Sequence, residues 1–502
     1  MRGLASVLLV ALVVAAVAPP VAPAAAQESP RPDPDSDRIG WENGYWHDDP
    51  VNVDQSDGLS DAELERYVAR ATARVEYLRE AEFDSSVPVS VIDRESYRNR
   101  SSGGGNSSDA YNAWNNQVWE ALFVVGEDTD VGEELGSTYG SSVAGFYSPA
   151  DDEIKIITDD TDSPTINNAT LIHELVHALQ DQRYDLTRER YGGETQDAQL
   201  ATDGVVEGEA NYIEAQYRKR CASGEWDCVA TPPSSGAGSS GDGPNLGILL
   251  TILQPYSDGP VYVAEQYEEG GWAAVDAAME NPPTTTEQVI HVTDEEPSPV
   301  DFEDRARGDW ETFPEQGVDG ADVAGEASMF VMFWEQARTA DARTIDPSVI
   351  GRTDGEFDQY NYDAPPSDGW DGDRIVPYRN ASGEYGYVWV TQWDSQQDAR
   401  EFREAYMAIL AAHDARTTDE GVRVVDDGPF ADAFLVSQDG TRVTIVNGPD
   451  PAAVEDIRPG TDAVESGGVS GVTAPGFGVG AALAALAALL VALVGVRRAG
   501  RN

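Results

Sequence analysis

Residues 171–186 read LIHELVHALQDQRYDL and contain the pattern HELVH at 173–177. Four apolar residues of this stretch fall at positions i, i+3, i+4 and i+7, which predicts a helix with one buried face: Ile172, Leu175, Val176 and Leu179. Ser163 and Pro164 predict the start of this helix, as its N-cap and its first helical residue. Residues four apart share a helix face, so His173 and His177 can reach one metal ion.

The HExxH pattern predicts a catalytic zinc site. Zinc favours imidazole nitrogen ligands, and a catalytic site keeps one coordination position open for water. Glu174 directly follows the first histidine, where its carboxylate can accept a proton from that water as a general base. The chain has only five histidines, and chance produces the pattern in fewer than about 1% of chains of such composition. A helix with two solvent-facing histidines is the alternative interpretation.

A third zinc ligand is expected from the helix predicted over residues 197–220. Glu207 lies 30 residues after His177 (207 − 177), a separation that permits a helix–loop–helix return to the metal. Gly208 leaves room for another element to approach. Glu209 is the rival ligand, although it faces a different side of the helix. From the residues alone, Glu207 can also be a solvated acid.

Several polar residues are candidates for supporting roles around such a site. Asp203 and Asn211, one turn on either side of Glu207, are candidates to orient a ligand histidine. Attack by a zinc-bound water on a carbonyl also needs a group that stabilises an oxyanion, and His291 and Tyr212 are candidates for that role. His291 and Tyr212 can equally be core or surface residues.

Two sequence blocks resemble a known family. LIHELVHALQDQRYDL, followed by VVEGEANYIEAQY at 205–217, looks like a family of bacterial and archaeal zinc metallopeptidases of the glutamate-zincin type. The resemblance implies that Glu207 is the third zinc ligand. Less specific elements extend it over most of residues 140–415: PPTTTEQVIH at 282–291, GWDGDR at 369–374 and a WD…EF element at 393–402. Val292 departs from the pattern, which usually has a proline there.

The expected fold class is α+β. Residues 41–300 are expected to form a zincin-like metallopeptidase domain, with a mixed sheet, an active-site helix and a helical continuation. A strand over 87–92 and a hairpin over 145–158 would supply the sheet, and an extended substrate can add to the hairpin edge. Residues 301–458 are expected to form a further α+β region of unknown role. Other elements are predicted from apolar spacing: helices over 59–79, 111–125, near 246, over 261–279, 323–338 and 398–413, and a strand over 385–392.

The charge balance indicates an acidic surface adapted to high salt. The formal net charge is −57, from 90 Asp and Glu against 33 Lys and Arg, and lysine occurs only at Lys155 and Lys219. Hydrophobic residues make up 40% of the chain, which argues for a folded protein rather than a disordered acidic one. Molar salt screens carboxylate repulsion to about 3 Å. These features predict a halophile protein that does not bind nucleic acid.

Both ends of the chain predict export. Residues 1–26 have the pattern of a signal peptide, and 27–40 form a Pro/Asp-rich extended segment. A linker over 459–474 precedes a tail over 475–502, whose apolar run at 477–496 is followed by arginines. The tripeptide Pro475-Gly476-Phe477 resembles the archaeal PGF-CTERM sorting signal. That resemblance implies an archaeosortase partner and a lipid anchor; a plain transmembrane anchor is the alternative.

Cys221 and Cys228, the two cysteines of the chain, are expected to form a local disulfide outside the cell.

The expected function is that of a cell-surface zinc metallopeptidase acting on a peptide or protein, with one Zn²⁺ per chain. The main alternative is a surface-layer or adhesion protein that keeps the metal site without catalysis. Another zinc hydrolase shares the metal chemistry but has no further support in the sequence.

Overall fold

The computed structural model of the chain describes residues 31–97, 108–158, 160–230, 244–353 and 355–461. The described residues from Ser36 onward belong to one compact unit. Among these residues no helix combines the length and apolarity needed to cross a bilayer. The signal peptide and sorting tail predicted above lie outside the described residues, as does nearly all of the predicted linker.

The fold is α+β. Its helices include α1 (Asp61–Arg79), α2 (Asp109–Ala121), α3 (Val131–Ser142), α4 (Asn168–Tyr184), α5 (Gln196–Ser223), α6 (Leu246–Gly270), α7 (Trp272–Glu280), α8 (Thr286–Ile290), α9 (Gly325–Thr339), α10 (Gln396–Ala412) and α11 (Pro451–Ile457). Its strands include β1 (Trp41–Glu42), β2 (Tyr45–Trp46), β3 (Val89–Asp93), β4 (Gly145–Ser148), β5 (Glu153–Thr158), β6 (Glu311–Thr312), β7 (Trp370–Arg379), β8 (Tyr385–Trp393), β9 (Arg416–Thr417), β10 (Arg423–Val424), β11 (Ala433–Asp439) and β12 (Arg442–Gly448).

A small mixed sheet lies beside the HExxH helix. Its strand order is β3-β5-β4, with β3 parallel and β4 antiparallel to β5, so β4 is an edge strand. Ile154 and Ile156 of β5 are buried together with Leu171 and Leu175 of α4. This core also receives apolar residues from α1 and α5, and it therefore holds α4 between the sheet and two helices.

A larger antiparallel sheet dominates the C-terminal part, in the order β6-β7-β8-β12-β11-β10-β9. Strand residues alternate between its two faces: Trp389 packs in one core with α9 and α10, whereas Val388 and Val390 pack in another with α11. The first of these cores also contains Trp114 and Val118 of α2. Residues from both sides of the predicted boundary at 300 thus share one core.

The predicted start of the HExxH helix was wrong. Helix α4 begins at Asn168, and the side chain of Asn167 caps it by accepting the Ala169 N–H. The preceding segment is tied to the N-terminal part of the chain instead: the Leu59 N–H donates to the Pro164 carbonyl at 2.8 Å, and the Ile166 N–H donates to Gln55 Oε1 at 2.7 Å. These tertiary hydrogen bonds outweigh the local signal of Ser163-Pro164.

The helical segments predicted near 246 and over 261–279 were divided at the wrong place. Helix α6 continues from Leu246 to Gly270 through Pro255 and Pro260, and the break falls at Gly271, whose φ is +62°. Each internal proline removes a helix hydrogen bond. Packing compensates for that loss, because Gly259 lies directly against the backbone of α5.

Candidate metal centre

Three side chains from two helices converge on one point. His173 and His177 project from the same face of α4, and Glu207 approaches from the middle of α5. His173 Nε2 lies 3.0 Å from both Glu207 Oε2 and His177 Nε2, and His177 Nε2 lies 3.3 Å from Glu207 Oε2. The structure therefore brings together the three residues predicted as metal ligands.

The second nitrogen of each imidazole faces an acceptor. His177 Nδ1 lies 2.9 Å from Gln180 Oε1, and His173 Nδ1 lies 3.5 Å from Glu214 Oε2. Gln180 is itself held in place, because its Nε2 donates to the Val206 carbonyl and to Glu209 Oε2. Acceptors at both Nδ1 atoms keep the protons there, and the Nε2 lone pairs are left to face the centre.

These donors fit a zinc ion. Bonds of about 2.0–2.1 Å at tetrahedral angles place ligand atoms about 3.3 Å apart, close to the three separations found here. Two Nε2 lone pairs that face each other at 3.0 Å repel unless a cation or a proton lies between them. The carboxylates of Glu207, Glu174 and Asp203 add negative charge around the same point. The site thus has the geometry and the charge to hold a divalent ion.

Glu209, the rival third ligand, points away from the histidines. It is 1% exposed and makes a buried ion pair with Arg79 of α1. Its other oxygen accepts the Gln180 amide at 2.8 Å. Glu209 therefore contacts the site only through Gln180, whose amide oxygen faces His177. Of the two acids, Glu207 is the one that faces the histidines.

Glu174 is held beside the convergence point by the edge strand. It is 7% exposed, and its Oε2 accepts the backbone N–H of Tyr147 in β4 at 2.8 Å. Burial raises the pKa of Glu174, although the two imidazoles partly oppose this. Burial acts the same way on Glu207, but the imidazoles outweigh it and hold its pKa well below the usual range. The two glutamates are thus distinguished electrostatically: Glu207 stays ionised, and Glu174 binds protons more readily.

Tyr256 of α6 reaches the same site. Its ring lies nearly parallel to that of His173, with centroids 6.3 Å apart, and its hydroxyl interacts electrostatically with Glu207. Burial and the nearby carboxylates raise the pKa of Tyr256 well above its ordinary value, so the phenol keeps its proton. A neutral phenol at this position can donate a hydrogen bond to a substrate oxygen.

Glycines allow α6 to lie against α5 near the metal centre. A Cβ atom on Gly208 would lie 2.4 Å from the Gly259 carbonyl oxygen, and one on Gly259 would lie 2.2 Å from the Gly204 oxygen. The two helix backbones are therefore in direct contact one residue after Glu207. The approach that Gly208 was expected to permit is that of the helix which carries Tyr256.

None of the other predicted supporting residues has a hydrogen bond to His173 or His177 in the described chain. Asp203 accepts a hydrogen bond from Gln199 at 2.8 Å, and the Asn211 amide donates to the Glu207 backbone carbonyl. Gln180 and Glu214, not these two, contact the ligand histidines. Tyr212 packs in an aromatic cluster with Tyr267, Trp272 and Phe357. His291 pairs with Glu326 of α9.

Three residues of the site were missed by the sequence reasoning. Gln180 follows His177 by three residues and Glu214 follows Glu207 by seven, so helical periodicity could have placed both on the right faces. Tyr256 had no such signal, because only the packing of α6 against α5 brings it near the histidines.

Outside the site, the structure joins Cys221 at the end of α5 to Cys228 by a disulfide.

A family model described as a domain of unknown function (DUF8575) matches residues 311–458. The match covers the large antiparallel sheet with α9, α10 and α11, and contains none of His173, His177 and Glu207. No curated protein and no solved structure matches the chain.

Proposed function

We propose that this protein is a zinc-dependent metallopeptidase with a zincin-like arrangement of active-site helix, glutamate-bearing second helix and edge strand. The observation that carries the proposal is the convergence of His173, His177 and Glu207 with ligand atoms 3.0–3.3 Å apart, while Glu174 lies alongside. A metal site needs no carboxylate base for structural purposes. The presence of Glu174 therefore favours catalysis over the alternative of a surface-layer or adhesion protein with a relic site.

Bound zinc would supply a Lewis acid that lowers the pKa of a coordinated water to about 7. Glu174 would accept the proton of that water and later deliver it to the leaving amine. The Tyr147 N–H holds Glu174 Oε2, which leaves Oε1 free to take the proton. Tyr256 would donate its phenolic hydrogen bond to the developing oxyanion. The chain thus assigns base, ligands and oxyanion donor to separate side chains.

The edge strand is the proposed site of substrate binding. Among the strands of the described residues β4 pairs only with β5, and the Tyr147 N–H of β4 donates to Glu174. An extended peptide that adds to the free side of β4 would place its backbone along the metal centre. Backbone pairing of this kind favours a peptide or protein substrate over a glycan or a simple ester.

The proposed location is the outer surface of a halophile cell. The sequence features that support it are the signal-peptide pattern, the PGF-containing tail and the net charge of −57. An archaeosortase would process the tail and leave a lipid anchor. Catalysis and stability should therefore be measured in molar salt.

The decisive test compares Glu174→Gln with wild type for zinc content and for hydrolysis of casein in molar KCl. We expect Glu174→Gln to retain about one zinc at this centre and to lose about 10²–10⁴-fold in turnover, which is the usual contribution of a general base. Glu189→Gln makes the same change at an exposed glutamate and should leave both quantities unchanged.

His177→Ala provides the complementary control, because it should lose the zinc of this centre and the activity together. Wild type that binds zinc here but cleaves no peptide substrate would favour the non-catalytic surface protein. Full activity in Glu174→Gln would overturn the role assigned to that residue.

A further inference from the structure

A second group of metal-binding side chains lies apart from the HExxH centre. His291 follows α8, Glu326 lies in the first turn of α9, and Asp368 lies in the turn before β7. One potential ligand atom of each falls within 4.8 Å of the other two. His291 Nε2 is 3.0 and 2.9 Å from the two oxygens of Glu326, so the imidazole faces the carboxylate directly.

Glu326 has an unusual charge environment. Its side chain is 0% exposed, and within the described chain its ion-pair partner is His291 alone. Asp363 and Asp368 both lie close enough to repel its charge. A fully buried carboxylate normally needs a strong cationic partner. One histidine, cationic only when protonated, is a weak partner for a site with this many acids.

Glu287 adds an independent indication. It lies in α8 four residues before His291, the C-cap of that helix. Glu287 is 6% exposed, interacts electrostatically with Glu326 and His291, and its Oε2 has no hydrogen-bond partner in the structure as described. A buried oxygen without a partner costs free energy unless something binds it. Glu287 thus adds negative charge to the surroundings of His291 and Glu326.

We propose that His291, Glu326 and Asp368 form a second divalent-metal site, and that Glu287 adds negative charge to its surroundings. One imidazole with carboxylate oxygens is a donor set for a first-row transition ion such as Zn²⁺, rather than for Ca²⁺ or Mg²⁺, which take oxygen ligands. Asp368 is exposed and can move the short distance that closes the site. This proposal does not depend on the proposed peptidase activity.

The position of the site indicates a structural role. His291 precedes the region matched by the domain of unknown function, whereas Glu326 and Asp368 lie inside it. An ion bound by all three would cross-link α8, α9 and the turn before β7. Metal binding should therefore raise the melting temperature of the folded chain.

The test uses the full chain, stripped of metal by a chelator and titrated with Zn²⁺ and, separately, with Co²⁺ for its visible absorption. We expect two ions per wild-type chain. His177→Ala should retain one ion with a higher melting temperature than its metal-free form, and His177→Ala combined with His291→Ala should retain none. Asp368→Asn removes a surface ligand without disturbing the buried Glu326, and Asp439→Asn, at an exposed acid at the end of β11, is its matched control.

The outcomes separate this proposal from the first one. One ion in wild type that is lost in His177→Ala would overturn the second site and leave the HExxH centre standing. One ion that survives His177→Ala but disappears in His291→Ala would support the second site and overturn the first. An equal affinity in Asp368→Asn and wild type would remove Asp368 from the ligand set, and absence of any bound ion would overturn both sites.

Discussion

Each ligand histidine uses its two ring nitrogens differently. The Nε2 atoms face the centre, while the Nδ1 atoms face Gln180 and Glu214. Helical periodicity sets this division, because ring, partner and backbone belong to α4 and α5 at fixed spacing. The precision of the site thus depends on residues outside the HExxH pattern as much as on those within it.

Glu214 is expected to strengthen zinc binding through His173. Glu214→Gln removes the negative charge near Nδ1 and should weaken zinc affinity about 10–100-fold, the usual effect of losing such a partner. Competition with a chromophoric chelator would measure the dissociation constant. Glu225→Gln, at an exposed acid just beyond α5, is the control and should bind zinc like wild type. Equal affinities in the two variants would show that Glu214 does not act on the metal site.

Tyr256 is expected to act on turnover rather than on binding. Tyr256→Phe removes the phenolic hydrogen bond and should lower kcat by about 10²–10³-fold, with KM and zinc content close to wild type. Steady-state kinetics on a fluorogenic peptide would measure both constants. Tyr212→Phe is the matched control, because that tyrosine packs among aromatic rings instead. A larger loss of kcat in Tyr212→Phe than in Tyr256→Phe would assign the oxyanion-stabilising role to Tyr212 instead.

At the scale of elements, apolar spacing predicted most helices within a few residues. The prediction of 59–79 compares with α1 at Asp61–Arg79, 323–338 with α9 at Gly325–Thr339, and 398–413 with α10 at Gln396–Ala412. The errors fall where distant segments decide the structure. Gln55 and Leu59 delay the start of α4, and contact with α5 keeps α6 helical through two prolines.

The close contact between Gly208 of α5 and Gly259 of α6 should determine where α6 places Tyr256. Gly208→Ala would place a Cβ atom 2.4 Å from the Gly259 oxygen, and α6 would have to move. We expect a stability loss of about 1–3 kcal/mol from this overpacking, together with a lower kcat as Tyr256 shifts. Thermal unfolding and kinetics would measure the two effects.

The matched control is Gly136→Ala in α3, where an added Cβ meets no atom within 4 Å. Alanine is the better helix former there, so this variant should be unchanged or about 0.5–1 kcal/mol more stable. A Gly208→Ala protein as stable and active as Gly136→Ala would contradict the close contact.

The whole molecule carries a large excess of acid, part of it buried. Burial is the main cause that raises the pKa of Glu76 to about 8 and the pKa values of Asp197 and Asp322 to about 7. Unfolding returns these groups to ordinary values of about 3.9–4.3. The folded chain therefore holds more protons than the unfolded chain between about pH 4 and pH 8.

Stability should consequently fall as pH rises. For acids with raised pKa values, the stabilising contribution is present in full below the unfolded pKa and is lost as pH rises through the folded pKa. We expect the melting temperature in molar KCl to decrease from pH 5 to pH 8. Asp322→Asn should flatten this dependence, whereas Asp319→Asn, at an exposed acid, should not. A melting temperature that rises over this range would contradict the assignment.

The sequence by itself determined the α+β class, the helical face of HExxH and the candidate ligands His173, His177 and either Glu207 or Glu209. Local spacing was sufficient for these, because residues four apart share a face in any helix. The segment EGEA at 207–210 follows after enough residues for a second helix to return to the histidines. Only the tertiary structure decided that Glu207 and not Glu209 faces the histidines, that Tyr256 joins them and that His291 pairs with Glu326. These contacts join segments distant along the chain, and their partners are selected by backbone approach at Gly208 and by the burial of charge, which local sequence patterns do not encode.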